Sequence, residues 1–470
     1  MKNYTHISPY RGFDSEDLDN GRQNNYAWSM CEFGDYIYVG TGRNLISSLA
    51  TSMFPDLKVA IDFMSTNKDM AAEIWRYKKD GSLPMERVYK APEATDKEPT
   101  IYGFRYLQKF KSLGVKPVMY ASGMCKDGIK ILKSTNGVNW FEVPNKLGKG
   151  LSCRSMLQYK NKLYMGVINN SAKLNSPSLL YSSYDPELFG WKLESTPEIF
   201  GKNPIGNIWS MAEFNDHLYV GTESKEGFMI WRTEGEEPEI NKWVLVVDKG
   251  AGDATNECPI SMEVFNNYLY IGTATDPTKL IPFVVPKGAD LIRVNTADKW
   301  EVVVGGTPLR PTYPTTGMRG NALSGLSSGF NDPYNFYIWQ LKVYNNRLYV
   351  GTFNAAVCVE PIIEMAIKNK HLFNKILEKY PIGESFEEVQ KRIKANLSRF
   401  MSHKKSFGCD LYSTVNGVSF APITQNGFGN HYDYGIRSLV VTKENALFVG
   451  TANPFEGCTI LKFGGYTRGC

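Results

Sequence analysis

The sequence predicts an all-β fold, a seven-bladed β-propeller of four-stranded antiparallel blades with a helical insertion in the sixth blade. Two observations carry that prediction. A strand–turn–strand segment recurs seven times along the 470 residues, and a third and usually a fourth strand-like segment follow each copy.

The recurring pair reads WSMCEF-GDYIYVGT (28–41), RYLQKF (105–110) with KPVMYAS (116–122), RSMLQY-KNKLYMGV (154–167), WSMAEF-NDHLYVGT (209–222), ISMEVF-NNYLYIGT (260–273), WQLKVY-NNRLYVGT (339–352) and RSLVVT-KENALFVGT (437–451). Asn, Asp, Gly and Lys at the joint are hairpin-turn residues, and the β-branched and aromatic flanks are strand formers. Third strands are expected at EIWRY (73–77), KILKS (130–134), LLYSS (179–183), MIWRT (229–233), LIRVN (291–295), DLYST (410–414) and TILKF (459–463). Fourth strands follow most of these, often opening on an aromatic, as in WFEV (140–143), WKLE (191–194), WVLVV (243–247), WEVVV (300–304) and FAPI (420–423). After Phe463 only GGYTRGC remains, too little for a fourth strand. The stretch from Tyr4 to Ile7 is therefore expected to pair with the last blade and lock the ring, leaving no open sheet edge.

The turns STNGVNW (134–140) and STVNGVSF (413–420) resemble the Asp-box turn of sialidase-like and sortilin-like propellers, in which Ser, Asp, Gly and Trp pin a blade's outer hairpin. The resemblance covers only these stretches, with Asn136 and Asn416 standing where Asp is usual. It implies the fold and says nothing about activity.

Residues 1–470 read as one propeller domain whose insertions fall in loops of a single face. They are 42–72, with the helix-like runs LISSLATSMF and LKVAIDFM; 274–289; the Gly/Pro/Ser/Thr-rich connection 305–335; and 353–408. The last reads as a helical pair. Pro361 opens a first helix with apolar residues at 362, 363, 366, 367, 373, 376 and 377. Ser385 and Glu388 form a capping box for a second helix, whose stripe is Phe386, Val389, Ile393, Leu397 and Phe400. The pair is either a rim decoration or a lid, and insertions confined to one face mark a binding face.

With 42% apolar and 21% charged residues the chain can bury a large core, and a net charge of +5 is too mild for a nucleic-acid surface. No apolar run approaches a membrane span, and MKNYTHISPYRGF lacks the hydrophobic core of a signal peptide. The eight cysteines include no CxxC pair, which points away from a zinc site and a disulfide framework. The expectation is a soluble, cytoplasmic protein with no membrane or nucleic-acid partner.

The chemical signal lies at the first position of each inner strand, where Trp28, Arg105, Arg154, Trp209, Ile260, Trp339 and Arg437 align. Two residues on, Met30, Leu107, Met156, Met211, Met262, Leu341 and Leu439 form an aliphatic layer on the same strand face. Three guanidiniums converging on one axis repel unless solvent, carboxylates or an anionic ligand intervene, and Arg forks match carboxylate, sulfate or phosphate. Indole faces hold sugars, rings or cations. Either nearby acids pair these arginines, or they bind a small anionic or glycan-like ligand together with Arg43 and Arg319 from loops of the same face.

His431, Asp433 and Tyr434, in NHYDYGIR ahead of Arg437, are the candidate acid–base residues. Polysaccharide-lyase propellers use a comparable arrangement of a basic residue and a His or Tyr, which makes lyase or hydrolase chemistry the enzyme alternative. Sialidases also use three arginines, but on six blades and with an Arg-Ile-Pro stretch that is absent here. No GxGxxG, Walker or HExxH motif implies a cofactor or metal. The polar loop of Asp253, Asn256 and Glu257 reads either as a solvated turn or as a cation ligand set. The third functional class is a scaffold holding a partner protein on the insertion-bearing face.

Overall fold

The computed structural model describes residues 4–44, 69–93, 100–112, 115–170, 176–195, 202–275, 286–357, 387–388, 391 and 407–464. The helical segments expected within 42–72 and 353–408, apart from Glu387, Glu388 and Lys391, which are helical and exposed, and most of 274–289 lie outside these residues.

The described chain is dominated by antiparallel strands arranged in a repeating four-stranded unit. The first runs Asn24–Phe33, Tyr36–Arg43, Glu73–Lys78 and Glu86–Lys90, each strand pairing with the next. The same order recurs in the units opening with Gly103–Phe110, Leu151–Tyr159, Ile208–Phe214, Asn256–Phe265 and Asn335–Tyr344. The last unit has Gly435–Val441, Leu447–Ala452 and Ile460–Phe463 and takes its fourth strand from the other end of the chain. Tyr4–His6 pairs with it in the register Tyr4↔Phe463 to His6↔Leu461, as expected for this N-terminal stretch.

The opening strands of successive units pack against one another, and that of the last unit packs against that of the first, so the inner strands form a closed circuit. Hydroxyl bonds reinforce it. Ser29 Oγ donates to Phe104 O (2.7 Å), Ser210 Oγ to Pro259 O (2.5 Å) and Ser261 Oγ to Ile338 O (2.9 Å). Ser438 Oγ donates to Ala27 O (2.8 Å), joining the two ends of the circuit.

The recurrent Gly-Thr has a role at each residue. The glycine lies where the next unit's inner strand presses in: a Cβ on Gly272 would stand 2.4 Å from Ile338 O, and one on Gly351 2.5 Å from Ile436 Cβ. The threonine ties the second strand to the start of the third. Thr273 Oγ1 accepts from Asp290 N (2.8 Å) and donates to Asp290 O (2.9 Å), and Thr41 does the same with Glu73. Beneath the Trp/Arg positions Met30, Leu107, Met156, Met211, Leu341 and Leu439 are buried, and Met262 is partly so.

The outer turns at 134–140 and 413–420 share one geometry. Asn136 Oδ1 accepts from Val138 N and Asn139 N, both at 2.9 Å, while Gly137 N donates to Ser134 Oγ (2.8 Å). Asn416, Gly417 and Thr414 repeat it. An asparagine carbonyl thus fills the acceptor role expected of an aspartate. Among the described residues no helix is long and apolar enough to cross a membrane.

Candidate functional site

Each of the seven aligned positions is a β-bulge. The ladder register slips between Ala27 and Ser29, Phe104 and Tyr106, Cys153 and Ser155, Ile208 and Ser210, Pro259 and Ser261, Ile338 and Gln340, and Ile436 and Ser438. The residue skipped is in turn Trp28, Arg105, Arg154, Trp209, Ile260, Trp339 and Arg437. A bulge leaves one residue out of the ladder and re-aims its side chain. The same device in every inner strand of the closed circuit brings these side chains into one ring.

Within the ring the guanidiniums lie on neighbouring indoles. Arg105 stands 4.8 Å above Trp28, Arg154 4.3 Å above Trp209, and Arg437 4.9 Å above Trp339 and 5.8 Å from Trp28. Trp28 and Trp339 lean over the next unit's inner strand at a glycine, Gly103 and Gly435. A Cβ on Gly103 would fall 2.1 Å from the Trp28 ring. Gly103→Ala is therefore expected to displace Trp28, destabilising the fold by about 1–3 kcal/mol and blue- or red-shifting tryptophan emission, with denaturant unfolding and fluorescence as the checks.

The electrostatics of the ring are unbalanced. Burial lowers the pKa of all three arginines. Arg105 falls well below its ordinary value, by burial first and then by repulsion from Arg154 and Arg437. Arg437 falls to about 9, again through burial first, with Arg154 adding repulsion. Arg154 is lowered by burial and partly restored by Cys258 and Glu223. Among the described residues none of the three forms an ion pair. Among the described residues the buried Nε of each, with Nη1 of Arg105, has no hydrogen-bond partner, while Arg105 Nη2 reaches Met124 Sδ at 3.1 Å.

Arg43, which ends the strand Tyr36–Arg43 instead of lying in a loop, and Arg319 have different surroundings. Arg43 is fully buried and ion-paired to Asp69 (3.1 Å) and Glu73 (3.3 Å), with further bonds to Asn20 and Asn24. Arg319 binds Asp290 Oδ2 (2.9 Å), Ala251 O and Gly306 O. Both are expected from the sequence to face a ligand; both are instead engaged by the protein, because carboxylates distant in sequence fold onto them. Asp433 is likewise held, by Arg11 Nη1 (2.9 Å), Asn453 Nδ2 (3.0 Å) and Thr451 Oγ1 (3.3 Å), so it is not poised to move a ligand's proton. Tyr434 is buried with its hydroxyl against that of Tyr26. His431 lies against Tyr432, with ring centroids 3.9 Å apart and the rings tilted by 38°. Asp253 accepts from Lys287 Nζ and three backbone N–H groups, and Asn256 donates to Asp290; no metal-binding cluster of His, Cys, Asp or Glu occurs among the described residues.

The sequence reading missed the layer one step outward on the same strands. Tyr26 meets Trp28 and Trp339 edge-on at 5.9 and 5.8 Å, and Tyr337 meets Trp339 at 5.6 Å. Glu223 accepts from Trp209 Nε1 (2.6 Å) and Asn207 Nδ2 (2.5 Å). A usable signal existed, since Glu223 directly follows the Gly-Thr of its repeat.

No protein-family model matches the chain, and no curated protein matches it. The chain is similar in structure to the extracellular domain of a protein described as a hybrid two-component system of B. thetaiotaomicron, with TM-score 0.49 and 12% identity over 98% of this chain and 39% of that one. It is similar to an exo-β-1,3-galactanase from Phanerochaete chrysosporium (TM-score 0.31, 11% identity, 56% of this chain and 59% of that). It is also similar to a variant of the NanB sialidase from Streptococcus pneumoniae (TM-score 0.30, 12% identity, 44% of this chain and 32% of that). The chain thus spans about two fifths of the first of these proteins. Two of the three are glycoside hydrolases.

Proposed function

We propose that the chain is a seven-bladed propeller whose bulge ring binds a small anionic or carbohydrate-like ligand, held through an oxyanion by Arg105, Arg154 and Arg437 on the faces of Trp28, Trp209 and Trp339. One observation carries the reading: three mutually repelling, half-buried guanidiniums share one ring in which none has an ion-pair partner among the described residues and each has a buried Nε without an acceptor. Unsatisfied buried donors are costly, and a carboxylate, sulfate or phosphate supplies both the acceptors and the opposite charge. The reading is binding rather than turnover, because Asp433 is committed to Arg11 and Tyr434 to Tyr26.

The test is a thermal-shift and calorimetric series with sulfate, phosphate and glucuronate on the wild type and Arg154→Ala. A ligand at a hundred times its Kd is expected to stabilise the wild type by about 2.7 kcal/mol, and Arg154→Ala to lose most of that gain while remaining folded. No stabilisation of the wild type by any of the three anions, or equal stabilisation of both proteins, would refute the proposal.

A further inference from the structure

The ring is not uniform, and its asymmetry identifies a second recognition element. The layer outward of the bulges is built from the residue two before each bulge and the residue opposite or nearest to it on the second strand. These pairs are Tyr26 with Gly42, Gly103 with Met124, Ser152 with Ile168, Asn207 with Glu223, Cys258 with Ala274, Tyr337 with Phe353, and Gly435 with Ala452. Glu223 is the single charged residue among them. It is half-buried, at the edge of the indole whose face carries Arg154.

We infer that Glu223 makes the ring selective for oxyanions that also carry a hydroxyl group, the chemistry of a hydroxy acid or sugar acid. The inference rests on the oxyanion reading above. A carboxylate has about four acceptor positions on its two oxygens. Trp209 Nε1, Asn207 Nδ2 and Cys258 Sγ (3.7 Å) occupy three on Glu223, and these contacts fix its orientation. A lone pair on a half-exposed carboxylate remains for a ligand donor. That donor is a hydroxyl rather than an ammonium, because a cation brought to Glu223 also meets the field of three guanidiniums, whereas a neutral hydroxyl meets no such repulsion. On the far side of the ring Trp28 and Trp339 are flanked by Tyr26 and Tyr337, whose ring faces suit the C–H face of a sugar or another planar body. Anion, hydroxyl and ring face thus find complementary groups in one site.

Glu223 has a positioning role toward Trp209 as well, so the test separates charge from scaffold. Glu223→Gln keeps an acceptor for Trp209 Nε1 and removes the charge; Glu223→Asp keeps the charge should the first variant fold poorly. Sulfate and glucuronate are titrated into each protein by calorimetry, with near-ultraviolet circular dichroism reporting the tryptophan environment. The wild type is expected to prefer glucuronate over sulfate. Glu223→Gln is expected to bind sulfate more tightly, since one negative charge has left the ring, and to lower the glucuronate-to-sulfate preference about tenfold, the worth of one hydrogen bond to a charged group. Wild-type binding of sulfate without glucuronate, or an equal change for both anions in Glu223→Gln, overturns the inference and leaves the anion ring standing. Binding of neither anion by the wild type refutes the ring reading itself.

Discussion

Arg437→Met is expected to raise the stability of the ligand-free protein at pH 7, and to raise it less as the pH climbs through 9. The guanidinium is half-buried with its Nε out of reach of solvent, lies over Trp339 and Trp28, is repelled by Arg154 and has no ion pair among the described residues. Its pKa of about 9 in the fold lies below the ordinary 12.5. Below pH 9 both folded and unfolded states carry the proton, and the cost of burying the charge is fully present. Between about 9 and the unfolded value the unfolded chain binds more protons than the folded one, so stability rises with pH in that window. Methionine fills a similar volume and has nothing to ionise. The gain at pH 7 is about 1–3 kcal/mol, the scale on which apolar replacements of buried charges stabilise, reduced by the lost cation–π contacts of about 0.5–2 kcal/mol. Urea unfolding of both proteins at pH 7, 8, 9 and 10 checks the sign and the narrowing gap. Saturating sulfate should reverse the order, because only the wild type keeps the full ring. A variant destabilised by several kcal/mol at pH 7 would mean that the guanidinium is compensated, and the ring would then be structural.

The antiparallel strand order and the pairing of Tyr4–His6 with the last strands were legible because each rests on local pattern: alternation, turn residues and β-branched or aromatic flanks. Alignment of the copies also placed the ring residues, since equivalent positions in a closed circuit occupy equivalent places. The bulges were not legible, because a register slip is a property of two strands and leaves no mark on one. Nor was the pairing of each guanidinium with an indole of an adjacent unit, as Arg154 and Trp209 are 55 residues apart in sequence and meet only because the inner strands of consecutive units pack together. Arg43 and Arg319 illustrate the opposite failure. Both read as residues of open loops, yet Arg43 ends a strand and both are held against acids that the sequence gives no reason to pair with them: Glu73 lies 30 residues beyond Arg43, and Asp290 lies 29 before Arg319. A guanidinium's partner set, and hence its availability to a ligand, is a tertiary property.

The same distinction governs Asp433, for which the expected result of substitution is lost stability rather than lost chemistry. Asp433→Ala removes a fully buried carboxylate that accepts from Arg11, Asn453 and Thr451. Asn453 and Thr451 stay buried with donors unmet, each costing about 1–3 kcal/mol at worst. Arg11, 31% exposed, keeps its ion pair with Glu456 (3.3 Å) and can turn partly to water, which lowers its share. A net loss of about 3 kcal/mol follows, at the low end for breaking a buried pair. The position of the bond enlarges its consequence. Arg11 belongs to the N-terminal arm that supplies the strand Tyr4–His6, and Ser8 and Gly12 of that arm bond to Thr459 and Cys458. Releasing Arg11 therefore loosens the joint between the two ends of the chain, and hydrogen exchange should rise first in Tyr4–His6 and Ile460–Phe463. Sulfate binding at low temperature should survive, since Arg105, Arg154 and Arg437 are held by their own bulges. Unchanged stability, together with loss of a measured turnover in Asp433→Ala, would instead make Asp433 a working acid or base despite its partners.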